Sequence, residues 1–349
     1  MTPDPNGSTE EEEFAVVVTD DWRQLPIEDF EMGLEPLYEA PGVTVRFDET
    51  GPLEERLRGV DAAIVGENDL ITDGTIPDDG RLRIVGRLGS GFDNYDLEAC
   101  TDHGVVATHA PQGPTESVAQ GTLGMLIACA HNFVRYNRLV REQGFEGRFA
   151  NIGVELKGKT VGIVGMGRIG REVREKLRPF DLDVLAYDPY AEASELPADT
   201  TLVDLDELLA SSDFVTLHVP LTDETRGMLT ADSFRRMKES AYLINTTRGG
   251  LYEDETLARA IREGWIAGAA IDVFENEPDV GGNPLFELED CLFTPHISGV
   301  TIDSLTRIGN ILAECVLAVH RGELPDNVLN PEVYGRSIPD EHLSPSYRP

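Results

Sequence analysis

Lysine is nearly missing from this chain: of its 29 basic residues, all but Lys157, Lys159, Lys176 and Lys238 are Arg. Set against 64 acidic residues, that leaves a formal charge of −35 over 349 residues. Such a surface repels nucleic acid and anionic membranes, which excludes both as partners. The excess is spread along the chain and not gathered in one tail, which suits a halophilic protein, since concentrated salt screens self-repulsion. Cysteine is sparse as well. Cys100, Cys129, Cys291 and Cys315 show no C-x-x-C spacing, which argues against a disulfide framework or a zinc site, and no metal is expected. Residues 1–13 lack the basic and apolar regions of a signal peptide, so a cytoplasmic protein is expected. Long apolar runs are lacking too. The longest uncharged stretch, 117–134, contains Gln120, His131 and Asn132 and suits a buried helix better than a membrane span.

What the chain has instead is glycine and aliphatic residues in alternating strand and helix patterns. Apolar runs at 14–18, 43–47, 62–65, 83–87 and 105–108 read as strands of a first unit. An acid-rich helical region follows the first strand, and Pro52 can start a helix over 52–58. From Thr115 one long helix is expected towards Arg138, with Pro111 and Pro114 marking a domain boundary before it. Runs at 161–164, 183–187, 213–218, 241–245, 267–271 and 291–294 predict a second sheet of six strands. The last helix, 303–321, must then pack on the first unit, and the proline-bearing tail after Asn330 reads as irregular. The expected fold class is α/β: a doubly wound parallel-sheet Rossmann domain plus a second, smaller flavodoxin-like α/β domain. The expected division is a nucleotide-binding domain over 112–299, a discontinuous substrate-binding domain over 14–111 and 300–330, and tails at 1–13 and 331–349.

The second unit opens on a strand that runs straight into G-x-G-x-x-G, with Gly165, Gly167 and Gly170 as its glycines. These allow a tight turn, the approach of backbone to a pyrophosphate and close packing of helix on strand, and the helix that follows aims its N-terminus at the phosphates. Asp188 ends the next strand about 20 residues on, where a carboxylate holds ribose hydroxyls, so NAD is the expected cofactor. Ligands of a parallel sheet lie beyond the carboxyl ends of its strands. Residues 246–249, Asp272, Glu275, Glu277 and His296 all follow strands and converge on that edge. His296 can serve as acid and base, Glu277 can orient it and favour its protonated form, and Arg248 offers a planar fork for a carboxylate. Taken singly, each has a plain structural reading; together they make a 2-oxo acid site. His218 is expected to line the cofactor wall, and His109 could face the cleft. Gly89, Ser90 and Gly91 form either an anion-binding turn for a substrate carboxylate or an ordinary glycine turn. The acidic loop 66–69 is a poor place for a phosphate.

These residues lie in motifs that resemble the D-isomer-specific 2-hydroxy acid dehydrogenases: Gly-Lys-Thr-Val-Gly-Ile-Val-Gly-Met-Gly-Arg-Ile-Gly, His-Val-Pro-Leu-Thr-Asp-Glu-Thr-Arg-Gly, Ile-Asn-Thr-Thr-Arg-Gly, Asp-Val-Phe-Glu-Asn-Glu-Pro and Thr-Pro-His-Ile-Ser-Gly. The resemblance spans about residues 60–330 and is densest over 156–299. It implies Arg248 as the substrate-binding Arg, His296 as acid and base and Glu277 as its partner. It further implies that Arg168, Ile169, Asp188, Pro220, Thr225, Thr246, Asp272 and Gly299 line NAD, and that the arm after Thr115 builds a homodimer. Gln120 stands where the family often has Glu, and residues 111–114 depart from its pattern. The basic loop of the phosphoglycerate branch is missing, which favours a small non-phosphorylated 2-oxo acid. An NAD-sensing corepressor-like binding protein of the same superfamily is the alternative. Formate oxidation is disfavoured, because the enzymes that perform it carry Gln in place of Glu277.

Overall fold

The computed structural model describes residues 13–20, 25, 30–48, 50–289, 291–335 and 339–344. Most of the acidic start, part of the acid-rich region after the first strand and the last five residues lie outside these. The chain divides into two compact units, one formed by the segments up to Pro114 and from Ile302 onwards, the other by Thr115–Thr301.

In the first unit, β1 (Phe14–Val18), β2 (Val43–Phe47), β3 (Ala62–Val65), β4 (Ile84–Arg87) and β5 (Val106–His109) form a parallel sheet in the order β2-β1-β3-β4-β5. That is the flavodoxin-like order. Its inner strands are continuous apolar runs because helices cover both faces; Val16, Val18 and Ile64 serve one core, Val17, Ala63 and Val65 the other. The edge strand β2 alternates half-buried and exposed residues. The connections are short: α1 (Glu35–Glu39), α2 (Leu53–Leu57), which follows Pro52, and α3 (Leu97–Asp102), whose first turn Asp96 caps by accepting the Ala99 N–H at 3.0 Å.

The second unit starts with α4 (Thr115–Ala130) and α5 (Phe133–Gln143), two helices where the sequence predicts one. The break is at Asn132, which is left-handed with φ 54° and is held there by its side chain. Its Nδ2 donates to Asn151 O at 3.1 Å, and its Oδ1 accepts from the Tyr242 hydroxyl at 3.3 Å. Then follow β6 (Thr160–Val164), α6 (Arg168–Leu177), β7 (Asp183–Tyr187), β8 (Thr200–Leu202), α7 (Leu205–Ser211), β9 (Phe214–Leu217), α8 (Ala231–Arg236), β10 (Tyr242–Asn245), α9 (Asp254–Arg262), β11 (Gly268–Ile271) and β12 (Leu292–Phe293). The parallel sheet they build has the order β12-β11-β10-β9-β6-β7-β8, a doubly wound Rossmann arrangement whose order reverses between β6 and β9. Six strands are expected and seven are present among the described residues. The extra one, β8, is three residues long and half exposed, too short and too polar to leave a periodic signal. Among the described residues, no helix is long and apolar enough to cross a membrane.

The chain ends by completing the first unit with α10 (Ile302–His320), whose Leu305, Ile308, Leu312 and Val316 join the core that β1 and β3 also line. The segment behind it lacks long elements but is anchored. Asn330 accepts the Ala107 N–H at 2.8 Å and donates to Val105 O at 2.9 Å, while Ser344 N donates to Val328 O at 2.8 Å. Gly309 lets α10 lie directly on the turn before α1: a Cβ there would collide with the carbonyl of Met32. Gly309→Ala would gain about 1 kcal/mol of helix propensity. The obstacle is backbone and cannot swing aside, so overpacking, on the order of 1–3 kcal/mol, should win. Denaturant titration should show a less stable protein; an unchanged or higher midpoint would contradict this packing.

Candidate functional site

The crevice beyond the strand ends of the second unit begins at the glycine-rich turn. Gly165 has φ 96°, in the region that favours glycine, and a Cβ on it would meet His218 O at 2.6 Å. At Gly170 a Cβ would run into the carbonyl of Gly165, so helix α6 packs onto the turn only because the residue is glycine. Gly167 differs: a Cβ there would meet nothing within 4 Å. Protein packing therefore requires the first and third glycines but not the second, and the approach of a ligand's pyrophosphate is the remaining physical reason for it. Gly167 also sits at the N-terminus of the ten-residue α6, where unbonded N–H groups and the helix dipole attract an anion.

Asp188 follows β7 and orders the same turn. Its Oδ2 accepts from Met166 N and its Oδ1 from Tyr190 N, each at 2.9 Å, and each oxygen retains a lone pair for a ribose hydroxyl. The residues thus fit a dinucleotide. Along the crevice, Thr225 accepts from Thr222 N at 2.8 Å and donates to Pro220 O at 2.6 Å, which fixes the loop after β9. Thr246 is buried and shares a 2.9 Å hydroxyl contact with Thr122 of α4. His218 ends the β9 segment with its Nε2 2.9 Å from Thr216 Oγ1; burial pushes its imidazole down to about 3, so the ring is neutral.

Three loops after β10, β11 and β12 carry the candidate reactive groups. Buried Asn245 converts the end of β10 into the turn that presents Arg248. It accepts from Thr247 N at 3.0 Å and Thr247 Oγ1 at 2.9 Å, and donates to Arg248 O at 2.8 Å and the Tyr252 hydroxyl at 3.1 Å. Arg248 itself donates to Thr247 O at 2.7 Å. Next to it, Gly249 lies so close to Phe274 and Glu275 that a Cβ would collide with their backbone. Asp272, 1% exposed, does the corresponding work after β11. It accepts from the Thr294 hydroxyl, from Ile297 N at 2.9 Å and from Ser298 N at 2.9 Å, while its own carbonyl takes the His296 N–H at 2.7 Å. The turn so held keeps His296 in the left-handed region at φ 53°, an uncommon conformation for a non-glycine residue.

His296 Nδ1 lies 2.7 Å from Glu277 Oε2, and Glu277 Oε1 accepts the Phe274 N–H at 2.6 Å. Burial alone would raise the Glu277 carboxyl. The bonds from His296 and Phe274 and the charges of His296 and Arg248 outweigh it and hold the group below the usual carboxylate range. His296, Glu277 and Arg248 therefore form one electrostatic group in the second unit. With Nδ1 committed to a carboxylate, Nε2 is the ring nitrogen for a reacting oxygen. Asn245 and Gly249 hold this group, yet only their position after an apolar strand could have marked them in the sequence.

Gly89, Ser90 and Gly91 lie in the first unit, after β4. Gly89 has φ 140°, and Ala110 N donates to its carbonyl at 2.8 Å. His109 is fully buried, with Nδ1 2.7 Å from Ser90 O and Nε2 2.5 Å from Ser344 Oγ, so it holds this turn. In the acidic loop nearby, Asp69 turns inward to Arg56 and the Thr19 hydroxyl, and Glu67 stays exposed, 3.4 Å from Arg87. Among the described residues no cluster of His, Cys, Asp and Glu could hold a metal ion.

Comparison with known proteins gives one consistent family. The NAD binding domain of the D-isomer specific 2-hydroxyacid dehydrogenases matches residues 123–298. A glyoxylate reductase of Thermofilum pendens is 36% identical over 313 residues, covering 87% of this chain and 92% of that protein. A D-3-phosphoglycerate dehydrogenase of Methanocaldococcus jannaschii is 38% identical over 294 residues. This covers 83% of the chain but 55% of that protein, so the chain spans about half the length of this relative. A crystal structure of a D-lactate dehydrogenase from Aquifex aeolicus, complexed with NAD and lactic acid, has a TM-score of 0.77 and 28% identity, over 89% of this chain and 96% of that one.

The lowered Glu277 carboxyl has a consequence for stability. A carboxylate depressed in the folded state stabilises the fold above its unfolded pKa, about 4.3 for Glu, and that contribution is lost as pH falls through the depressed value. Glu277→Gln should therefore unfold more easily than the parent protein near neutral pH, and the gap should close in strong acid. Thermal unfolding of both proteins across that range checks this, and a gap that is constant with pH would contradict it.

Proposed function

As the chain belongs to the D-isomer specific 2-hydroxyacid dehydrogenases and carries their NAD-binding domain, we propose that it reduces a small, non-phosphorylated 2-oxo acid to the D-2-hydroxy acid with NADH. The observation that carries this reading is the 2.7 Å contact between His296 and a Glu277 carboxylate kept ionised. Bound NADH supplies a hydride to C2 of the oxo acid. Arg248 binds the substrate carboxylate through its planar fork and draws electron density from the adjacent carbonyl. His296, protonated with the support of Glu277, delivers its Nε2 proton to the carbonyl oxygen, which leaves a hydroxyl on C2 and a neutral imidazole. In the reverse direction the same nitrogen takes the proton back.

The glycines at 165, 167 and 170, with Arg168 and Ile169, are proposed to hold the pyrophosphate, and Asp188 the ribose. Pro220, Thr225, Thr246, Asp272 and Gly299 complete the cofactor contacts. The amides of Gly89, Ser90 and Gly91 are proposed for carboxylate recognition in the first unit. There Glu67, an anionic side chain on the neighbouring loop, disfavours a phosphorylated substrate. The protein is proposed to act in the cytoplasm at high salt, as its charge of −35 suits.

A panel of glyoxylate, pyruvate, longer 2-oxo acids and a phosphorylated one, assayed with NADH and NADPH in molar and dilute salt, tests the reading. NADH should outperform NADPH because Asp188 repels a 2′-phosphate, and molar salt should sustain turnover. His296→Ala should lose a factor of about 10²–10⁴ in kcat. Wild-type turnover in that variant would end the assigned role of His296, and NADH binding by the parent protein without turnover on any substrate would favour the corepressor-like alternative.

A homodimer is also proposed. Phe145, Phe149 and Ile152, behind α5, are 72–75% exposed and lie in sequence beside exposed Phe133 and Val140. Apolar side chains this bare, concentrated in one segment, call for a cover, and a second copy of the chain supplies one. Light scattering in molar salt should give twice the chain mass, and Phe149→Asp with Ile152→Asp should give the monomer. A monomeric parent protein would sink the proposal.

A further inference from the structure

Behind the His296–Glu277 pair lies an acid that the reaction as proposed does not use. Asp254 opens α9 and is 4% exposed. Its Oδ2 accepts two hydrogen bonds, from Glu275 N at 3.2 Å and from Asn283 Nδ2 at 2.6 Å. Those donors stand on the loop two residues before Glu277 and six after it. The contact is reciprocal, since Glu275 Oε2 accepts the Asp254 N–H at 3.4 Å. Oδ1 is buried and has no hydrogen-bond partner among the described residues. A buried carboxylate with one oxygen unbonded is costly unless the fold uses it.

We propose that Asp254 is a positioning residue for the acid–base pair: it grips the loop that carries Glu277 from both sides, and its charge helps His296 retain the proton it delivers. This rests on the assignment of His296 and Glu277 above. The grip explains how a loop without helix or strand presents Glu277 in one orientation, because Gly249 presses on the same loop at Phe274 and Glu275 from the Arg248 side. Among the described residues no cation is bonded to Asp254, so no ion pair neutralises its charge. Glu275, Glu277 and Tyr252 are titratable groups that interact with it. On the elements packed against α9, Arg235 and Arg236 pair with Asp232 and Asp206, and Glu287 pairs with Arg262. Burial, followed by the neighbouring Glu275 and Glu277 charges, raises the Asp254 carboxyl against the opposing pull of its two hydrogen bonds. Arg248 favours the ionised Glu277, and the Glu277 charge in turn raises the Asp254 carboxyl, so the two acids are electrostatically linked.

Two variants separate grip from charge. Asp254→Ala loses both, and kcat should fall about tenfold or more while KM for NADH stays within about twofold, since the glycine turn is untouched. Asp254→Asn keeps an oxygen for both donors and should restore most of kcat. It removes the negative charge, so the alkaline limb of kcat/KM for the oxo acid should move about half a unit to lower pH. If the Ala variant fails to fold, the limb of the Asn variant decides alone. In a His296→Ala background, Asp254→Ala should cost little more, because its effect passes through the pair. Unchanged kcat in a folded Asp254→Ala, an unmoved limb in Asp254→Asn or full additivity in the double variant would each overturn the proposal. Wild-type turnover in His296→Ala alone would instead overturn the acid–base assignment beneath it.

Discussion

The carboxylate of Asp272, sealed at the end of β11, is the interaction on which the reactive edge of the second unit depends. It receives the Thr294 hydroxyl and the Ile297 and Ser298 N–H groups, and so fixes the turn in which His296 adopts a left-handed backbone. A charge taken out of water costs several kcal/mol. Charge-assisted hydrogen bonds return roughly 1.5–3 kcal/mol each, so three of them offset that cost and leave a rigid support. One strand over, Asn245 does the same for Arg248 with a neutral amide, all of whose bonds go to the turn it holds or to Tyr252. The reactive groups are half exposed, and the groups that hold them are buried.

This division has a physical reason. A side chain that must meet a substrate cannot be locked by packing on all sides, so its precision has to come from the backbone beneath it. At the ends of parallel strands the backbone runs out of sheet partners, and buried polar side chains take their place. Gly249 adds a steric version of the same support, since the close approach it permits lets the Arg248 turn and the Glu277 loop brace each other.

Much of the fold was legible in the sequence because strands buried on both faces read as continuous apolar runs, as 14–18 and 62–65 do. The strand β8 was not, being short and half exposed. Nor was the break at Asn132, where the chain turns on a side chain's hydrogen bonds to Asn151 and Tyr242, residues distant in sequence. The pairing of His296 with Glu277 follows from strand ends that a parallel sheet must align. Asp254 was invisible for another cause: one carboxylate among 64 acidic residues carries no mark until burial sets it apart. Asp69 shows the converse, since in sequence it belongs to an acidic loop, while in the fold its charge is spent on Arg56 and Thr19.

The late return of the chain through α10 bears on how the molecule is made. The core between β1, β3 and that helix needs Leu305, Ile308, Leu312 and Val316. None of these has left the ribosome when the first five strands emerge. Chains commonly fold their N-terminal part first during synthesis. Here residues 115–301 can close their own sheet while the earlier strands wait, with one face covered only in part by Phe30, Met32, Leu34 and Leu37, for the helix that completes it. For that interval the incompletely covered sheet face is the surface through which nascent chains would associate.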